Sequence, residues 1–469
     1  MKRVGAFFVF AILVVAIVVI ARAALLKPVA VSAPPAAPIA LDDAGAVERF
    51  IAAIRIPTES QFGQPPDQAA MSKFRDQLQQ SFPRVHATMQ REVLPDGGLL
   101  FTWKGRDPSL APVILMGHMD VVPVPAEALP LWKHQPYSGD TADGFIWGRG
   151  ALDDKIHVLS LLEAAETLIG RGFTPPRTIL LAFGDDEENG GKFGAQKIVK
   201  LLRDRGVHPD FVVDEGGIII SGMIPGITRP LALIGIAEKG IVDVELTTTG
   251  VGGHSSAPPR HTAIGQLSAA LARLEAHPFP SSITPAGREE YAAIAPYMPF
   301  STGMKDHELA GSFHTTTAET MISGGFKSNA LPPSAKAIVN FRILPGETAA
   351  SVLDRVRNIV NDPAVSVSAP DVAETRDPSP ISPIDSDGYR TLSTSIRQVF
   401  PDAIVSPFLL TAATDSSFYT ALTPNVYRFL AVESDPSVLA MIHGLNERIA
   451  PEKYLKTVQF TAQMIQNIR

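Results

Sequence analysis

The sequence predicts an α/β fold in which a mostly parallel sheet carries helices on both faces. The short apolar runs PVILMG, TILLAFG and DFVV alternate with the amphipathic stretches KIHVLSLLEAAETLIG and AQKIVKLLRDRG. This order of strand, helix, strand, helix and strand is typical of parallel strands joined by crossover helices. In such sheets, ligands bind beyond the carboxyl ends of the strands.

The middle of the chain predicts a second, smaller unit. It contains four strand-like runs (IVDVELTTTG, HTTTAETMISGG, KAIVNFRIL and AVSVSAP) and two helical runs (TAIGQLSAALARLEAH and SVLDRVRNIVN). Their order, β-α-β-β-α-β, is the pattern of a ferredoxin-like domain, here with an extra polar stretch at 277–313. We therefore expect a main domain over 42–238 and 373–469 and an inserted α+β domain over 239–372.

Composition and charge narrow the class of function. The chain has 469 residues, of which 45% are apolar and 19% are charged, which excludes a coiled coil, a collagenous fibre and a disordered chain. The net charge is −7 and no run of Lys or Arg exceeds two residues, so we expect no nucleic-acid partner. The chain has no cysteine, so any metal must be bound by His and carboxylates.

The N-terminus predicts export. Residues 4–21 are apolar or Gly and follow Lys2 and Arg3, and as a helix they would extend about 27 Å, close to the span of a bilayer core. We expect residues 1–27 to form an uncleaved signal anchor, with a cleaved signal peptide or a buried helix as the alternatives. The rest of the chain would then face the periplasm or the cell exterior, or be secreted after cleavage. Residues 28–41, rich in Pro and Ala, are typical of a linker.

Polar side chains follow three successive predicted strands. His118 and Asp120 come after PVILMG, the acidic run GDDEENGG follows TILLAF, and Asp214 ends DFVVD. His and carboxylate ligands suit a hard or borderline divalent ion, and zinc accepts both. In an extended segment His118 and Asp120 point the same way, so Asp120 can hold the far nitrogen of the imidazole. Repulsion within the acidic run must be offset by cations, which favours one metal ligand and one general base there.

The motif GRGALDDK places Asp153 and Asp154 immediately before the predicted helix over 155–169. Capping of the exposed backbone amides is one interpretation of such a pair. A bridge between two metal ions by Asp153 is the other.

A longer set of motifs runs in order from about residue 45 to the C-terminus: GHMDVVP, WKHQPYSG, GFIWGRGALDDK, GDDEENGG, FVVDEGG, GGHSSAPP, SNALPPSAKAIVNFRILPG, TDSSFY and IHGLNERI. Together they resemble the co-catalytic zinc exopeptidase and aminoacylase family, and most closely its carboxypeptidase S branch and relatives that handle N-fatty-acyl amino acids. The resemblance implies a zinc exopeptidase-like fold whose inserted domain serves as a lid or a dimerisation surface.

The resemblance also implies a site for two Zn²⁺ ions, or for other divalent ions. Asp153 would bridge the two ions. His118 and Asp214 would complete one site, and Glu188 and His443 would complete the other.

Catalytic and substrate-binding roles follow from the same resemblance. Glu187 would be the general base, and Asp120 the partner of His118. His254 would stabilise a substrate oxyanion, often across a homodimer. Asn329 and Arg342 would contact the substrate, with Arg342 suited to a terminal carboxylate because its guanidinium forms paired, planar hydrogen bonds.

We therefore expect metal-dependent hydrolysis of an amide bond next to a free-carboxylate amino acid, of carboxypeptidase or dipeptidase type. A water activated by two zinc ions would attack, with Glu187 as its base. An N-acyl-amino-acid hydrolase or synthase of aminoacylase type is the alternative, and the sequence does not separate the two. Another two-metal hydrolase, such as a phosphoesterase, and a non-catalytic ectodomain are more remote.

Three departures from the family pattern stand out. Ile156 and His157 replace the glycines often found after DDK, and TAA precedes Thr414 where Gly is common. Ser417 stands where an Arg is often found, which puts contacts to the substrate carboxylate at that end in doubt.

Overall fold

The structure is a computed structural model that describes residues 33–61, 63–95, 97–298, 312–370 and 375–469. The predicted N-terminal anchor or signal segment lies outside the described residues. Within the described ranges, no helix combines the length and the apolar character needed to cross a membrane.

Strands and helices alternate along the chain. The strands are β1 (Gln90–Val93), β2 (Leu99–Trp103), β3 (Val113–His118), β4 (Thr141–Ala142), β5 (Phe145–Trp147), β6 (Ile179–Gly184), β7 (Phe211–Asp214), β8 (Ile219–Ile220), β9 (Leu231–Glu238), β10 (Gly240–Thr249), β11 (Gly253–His254), β12 (Thr316–Gly324), β13 (Ala330–Leu331), β14 (Ser334–Ile343), β15 (Val365–Ser368), β16 (Ile404–Leu410), β17 (Val426–Arg428), β18 (Glu433–Ser434) and β19 (Arg448–Ile449). The α-helices are α1 (Asp43–Ile54), α2 (Gln68–Ser81), α3 (Pro83–Thr88), α4 (Lys155–Gly170), α5 (Ala195–Asp204), α6 (Ala263–Glu275), α7 (Pro285–Ile294), α8 (Ala349–Val360), α9 (Asp387–Val399), α10 (Ser416–Tyr419) and α11 (Pro451–Asn467).

The main sheet has the strand order β1-β2-β6-β3-β7-β17-β9-β8-β18, and β16 pairs with β9. The neighbours β6, β3, β7 and β17 run parallel, as do β16 and β9, whereas β1 and β2 form an antiparallel edge. The predicted mostly parallel sheet is confirmed.

Helices cover both faces of this sheet because alternate residues of its strands point to opposite sides. Val113 and Leu115 of β3 join a core with residues of α4 and α11. Ile114 and Met116 of the same strand join a second core with residues of α5. Strands buried on both faces read as continuous apolar runs, which is why PVILMG and TILLAFG predict this arrangement.

Side chains cap the N-termini of several helices. Asp67 accepts the backbone N–H groups of Ala69 and Ala70 at the start of α2. Thr348 and Ser351 form a capping box at the start of α8. These caps satisfy N–H groups that have no partner inside the helix.

The strands β10, β12, β14 and β15 form a separate antiparallel sheet in the order β12-β14-β10-β15. Helices α6 and α8 cover one face, where Val242, Val244 and Leu246 of β10 are buried. The element order β10, α6, β12, β14, α8, β15 has the expected β-α-β-β-α-β pattern. The domain boundaries stay a prediction.

Part of the predicted polar stretch at 277–313 forms α7, which packs on β16 of the main sheet. Ile294 of α7 is buried in a cluster with Leu231 and Ile404. This part of the insertion therefore contributes to the core at the edge of the main sheet.

The chain crosses between the two sheets twice, and the crossings are hydrogen-bonded to each other. The backbone N–H of Ile241 donates to the carbonyl of Arg376 at 2.8 Å, and that of Arg376 donates back at 2.9 Å. Next to this pair, the N–H of Glu238 donates to Ser379 Oγ at 2.8 Å. The two crossings thus form a short two-stranded connection.

Candidate metal centre

The carboxyl ends of β6, β3 and β7 bring polar residues to one edge of the main sheet. His118 is the last residue of β3, Asp214 is the last residue of β7, and the acidic run follows β6. Because the three strands are parallel neighbours, these groups lie side by side.

Two groups of ligand-type side chains share Asp153. His118, Asp153 and Glu215 form one group, and Asp153, Glu188 and His443 form the other. His118 Nε2 lies 3.0 Å from Asp153 Oδ1. His443 Nε2 lies 3.1 Å from Asp153 Oδ2 and 3.1 Å from Glu188 Oε2. Both carboxylate oxygens of Asp153 are therefore engaged, one on each side.

Glu215 occupies the place in the first group for which the sequence suggested Asp214. The Oδ2 atom of Asp214 instead accepts the backbone N–H of Ser416 at 3.0 Å. Burial raises the pKa of Asp214 to about 6 and His118 lowers it, so Asp214 also lies near the imidazole. Among the described residues, however, only Glu215 of the two places an oxygen in the first group. The run VVDEGG carries both carboxylates, but the pattern does not say which of them turns towards the cluster.

Asp120 connects the ends of β3 and β6. Its Oδ1 lies 3.2 Å from His118 Nδ1 and accepts the backbone N–H of Glu187 at 3.1 Å. Its Oδ2 accepts the N–H of Glu188 at 3.1 Å and the hydroxyl of Ser60 at 2.7 Å. Asp120 is fully buried. It orients the imidazole so that Nε2 faces the cluster, and it holds the backbone from which two glutamates project.

A buried ion pair links the segment of Asp153 to the segment of His443. Glu447 accepts the backbone N–H groups of Leu152 at 2.7 Å and Asp153 at 3.1 Å. Arg149 donates to the same carboxylate at 2.7 Å, and its Nη2 donates to the backbone carbonyl of His443 at 3.3 Å. Sequence reasoning missed both residues, although they lie within GRGALDDK and HGLNERI. A charged residue inside a motif gives no sign of whether it binds a ligand or another part of the chain.

Electrostatics at the cluster favour a bound cation. Burial raises the pKa of Glu188 to about 7 and that of Glu215 well above its usual range, and the neighbouring Asp153 adds to both shifts. Burial opposes ionisation of Asp153 as well, but hydrogen bonds from His118 and His443 lower its pKa overall. Carboxylates packed this closely ionise together only when positive charge offsets their repulsion.

The residues present fit a divalent metal. Among the described residues, the buried Oε1 atom of Glu188 has no hydrogen-bond partner. An unpaired carboxylate oxygen beside two imidazoles is a set of donors that divalent ions bind. Glu187 belongs to neither ligand group within the described residues, and burial raises its pKa well above the usual range.

The inserted unit carries the remaining predicted site residues. His254 is exposed on β11, and its Nδ1 lies 2.8 Å from Ser256 Oγ. Asn329 is exposed too, whereas Arg342 on β14 is half-buried. His254 belongs to neither ligand group in the described part of the chain.

A cavity of about 310 Å³ opens beside the cluster. Asp153, Glu187, Glu215 and His443 are among its polar lining residues. Most of the remaining wall is apolar and includes Ile220, Met223, Leu233, Phe408, Leu410 and Ile442. The arrangement can therefore hold an apolar group next to the ligand-type side chains.

Comparison with known proteins identifies relatives along most of the chain. The sequence model described as Peptidase family M20/M25/M40 matches residues 114–467. The N-fatty-acyl-amino acid synthase/hydrolase PM20D1 of Homo sapiens is 40% identical over 443 residues, covering 90% of this chain and 87% of that protein. Carboxypeptidase S of Saccharomyces cerevisiae is 31% identical, covering 90% of this chain and 84% of that protein.

Solved structures share the fold. The M20 family metallo-carboxypeptidase Sso-CP2 from Sulfolobus solfataricus has a TM-score of 0.70 at 17% identity, covering 90% of this chain and 99% of that chain. Human carnosine dipeptidase 1 has a TM-score of 0.66 at 19% identity, covering 91% of this chain and 96% of that chain. The zinc exopeptidase-like fold expected from the sequence is confirmed.

Replacement of Asp120 by Asn should weaken metal binding. The amide group would face two backbone N–H donors that the carboxylate now accepts, so we expect the metal affinity to fall by about 10- to 100-fold. Competition with a chromophoric chelator measures this affinity. Ser60→Ala removes only one contact of the same carboxylate and should change the affinity far less. Unchanged metal affinity in Asp120→Asn would contradict its orienting role.

Proposed function

The chain belongs to peptidase family M20/M25/M40, and from this membership we propose that it hydrolyses the amide bond between an apolar acyl chain and an amino acid with a free carboxylate. Both candidate functions, the peptidase and the N-acyl-amino-acid hydrolase, involve metal-dependent hydrolysis of an amide bond. The apolar cavity beside Asp153 and Glu187 carries the choice of an acyl substrate. The similarity to PM20D1, named as an N-fatty-acyl-amino acid synthase/hydrolase, supports it.

Two zinc ions form the metal centre in this proposal. His118, Asp153 and Glu215 hold one ion, and Asp153, Glu188 and His443 hold the other. The support is that the two groups share one carboxylate and that Asp153 directs one oxygen to each. Asp214 then serves the site by fixing the loop of Ser416 rather than by binding a metal. When bound, the ions supply Lewis-acid activation of the carbonyl and of the attacking water.

Glu187 is the general base. It lines the cavity and lies outside both ligand groups in the described residues, so its carboxylate is available to take a proton from the attacking water. It then passes this proton to the leaving nitrogen of the amino acid. Its backbone N–H donates to Asp120, which keeps the side chain beside the cluster.

The inserted domain supplies His254 to the substrate oxyanion. His254 is exposed, so it reaches the reacting carbonyl from a partner chain or by closure of its own domain. The partner version is supported by β12, an edge strand on which Met321 and Ile322 are 68% and 65% exposed. An exposed edge with apolar side chains favours pairing with a second copy of the sheet.

Export of the catalytic part is the remaining element of the proposal. The apolar run over 4–21, behind Lys2 and Arg3, directs the rest of the chain out of the cytoplasm. The run then stays as an anchor or is removed as a signal peptide.

Two neighbouring glutamates should differ in what they do. Glu187→Gln should keep the metal content and lower kcat by about 10² or more, because it removes the base but no ligand. Glu188→Gln should lose metal as well, because it removes an anionic ligand. Elemental analysis and steady-state kinetics on both variants measure this difference. Equal metal contents and equal rates in the two variants would contradict the division of roles.

Acyl chain length should control the rate. Each methylene buried in the cavity contributes about 0.8 kcal/mol, so kcat/KM should rise by up to about fourfold per methylene until the cavity is full. A chromatographic assay of N-acyl amino acids of increasing chain length, run beside a panel of dipeptides, measures the trend. A flat series with faster dipeptide cleavage would favour the carboxypeptidase alternative.

A matched pair of variants places this effect in the cavity. Met223 lines the cavity, so Met223→Gln should flatten the dependence on chain length. Leu131 is 63% exposed and does not line the cavity, so Leu131→Gln should leave it unchanged.

Mixing of two inactive variants tests the homodimer. If His254 acts across the dimer, His254→Ala and Glu187→Gln chains together should recover part of the activity, since one site of the mixed dimer has both residues intact. The assay needs mixed dimers verified by differential tagging. Background activity in verified mixed dimers would reject the partner version and leave closure within one chain.

A further inference from the structure

Arg376 lies where the chain returns from the inserted unit to the main domain. Its backbone pairs with Ile241, and Ile241 pairs on its other side with Arg342. Residues directly opposite each other in antiparallel strands share a face of the sheet, so Arg342 and Arg376 point the same way. Their Cα atoms are two strand spacings apart, about 10 Å, which two arginine side chains can span to meet at one small anion.

This face is opposite the helices of the inserted unit. Val242, the neighbour of Ile241, points into the core covered by α6 and α8. Arg376 extends in the other direction and lies over the ring of Phe418, 5.3 Å from its centroid. Phe418 belongs to α10, and its Cε2 is only 2.9 Å from the point that a Cβ on Gly191 would occupy. Gly191 lies three residues after Glu188, so the Phe418 ring under Arg376 packs against the segment that carries this candidate ligand.

Positive charge is concentrated here, although the carboxylates of Asp243 and Glu347 lie near enough to act on Arg342 and Lys239. Burial, and then the neighbouring Arg376, lowers the pKa of Arg342. Burial, and then Arg342, lowers the pKa of Lys239 to about 8. The Nζ of Lys239 donates to the carbonyl of His314 at 2.6 Å, so this lysine already has a partner.

Neutral groups already engage the nearest carboxylates. Asp243 accepts from Asn340 Nδ2 at 2.7 Å, and Glu347 accepts from the hydroxyl of Thr315. Within the described ranges, neither Arg342 nor Arg376 forms an ion pair, and the buried Nη1 of Arg376 has no hydrogen-bond partner. A buried guanidinium nitrogen without an acceptor is costly unless a ligand supplies one.

We propose that Arg376 and Arg342 together bind the free carboxylate of the substrate, which makes Arg376 a residue that determines specificity for acids; this inference rests on the proposed function. The guanidinium of Arg376 would reach the carboxylate from the connection between the domains, and that of Arg342 from β14 of the inserted sheet. Two guanidinium groups on one carboxylate satisfy both of its oxygens. An amino acid whose carboxylate is blocked as an amide cannot make these contacts.

A comparison of one substrate with its amide tests the proposal. For an N-acyl amino acid, Arg376→Gln should lower kcat/KM by about 30-fold or more, mainly through KM, because a buried charge pair loses one member. For the matching carboxamide, the same variant should change kcat/KM by less than about threefold. Arg376→Lys keeps the charge but loses the planar donors, so its kcat/KM for the N-acyl amino acid should lie between the values for Arg376→Gln and the unsubstituted enzyme. Arg357→Gln, at an exposed arginine on α8, is the matched control and should change neither rate.

The role of Arg376 would be overturned if Arg376→Gln lowered kcat/KM equally for the acid and the amide, or did not lower it for the acid. Calorimetric titration separates this result from a failure of the proposed function. In the Glu187→Gln background, addition of Arg376→Gln should raise the Kd of the same N-acyl amino acid by about 30-fold. An enzyme that hydrolyses no N-acyl amino acid but shows this change in Kd contradicts the proposed function and keeps the carboxylate site. An unchanged Kd rejects the site directly.

Discussion

Burial of many carboxylates at one edge of the main sheet is the constraint on which the rest of the site depends. Some of these groups are stabilised by hydrogen bonds from the chain's own backbone. Asp186 accepts the backbone N–H groups of Phe193 and Gly194, both at 2.7 Å, and Asp120 accepts those of Glu187 and Glu188. Asp153, Glu188 and Glu215 instead face two imidazoles. Carboxylates that accept backbone N–H groups thus hold the segment after β6 in place, whereas the other carboxylates remain available to a cation.

The same constraint explains why distant parts of the sequence must meet. Asp153 precedes α4, whereas His443 lies on a loop near the C-terminus, and neither segment could hold the cluster alone. The Arg149–Glu447 pair joins them through backbone contacts on both sides. Removal of one member would leave a buried charge without its partner, which typically costs about 3 to 5 kcal/mol. Metal binding and folding of the main domain are therefore expected to be coupled.

Sequence patterns predicted most of the fold and the elements that carry the site. Continuous apolar runs marked β3 and β6, and the β-α-β-β-α-β order marked the inserted unit, because both signals depend on local periodicity. The choice between Asp214 and Glu215 depends on the direction in which a strand end turns, and the role of Arg376 depends on a pairing across about 135 residues. Neither is encoded in a local pattern. Motif resemblance named Arg342 but had no signal for an arginine outside the motifs.

The paired crossing between the two sheets also bears on how the chain folds. Ile241 and Arg376 are about 135 residues apart in sequence, yet they exchange both backbone hydrogen bonds. Closure of a flexible loop of that length costs about 4 kcal/mol in chain entropy beyond the constant for a short loop. An inserted unit that folds first brings its own ends together and removes this cost from the main domain. We therefore expect the inserted unit to assemble before β16, β17 and α11 join the strands made earlier in the chain.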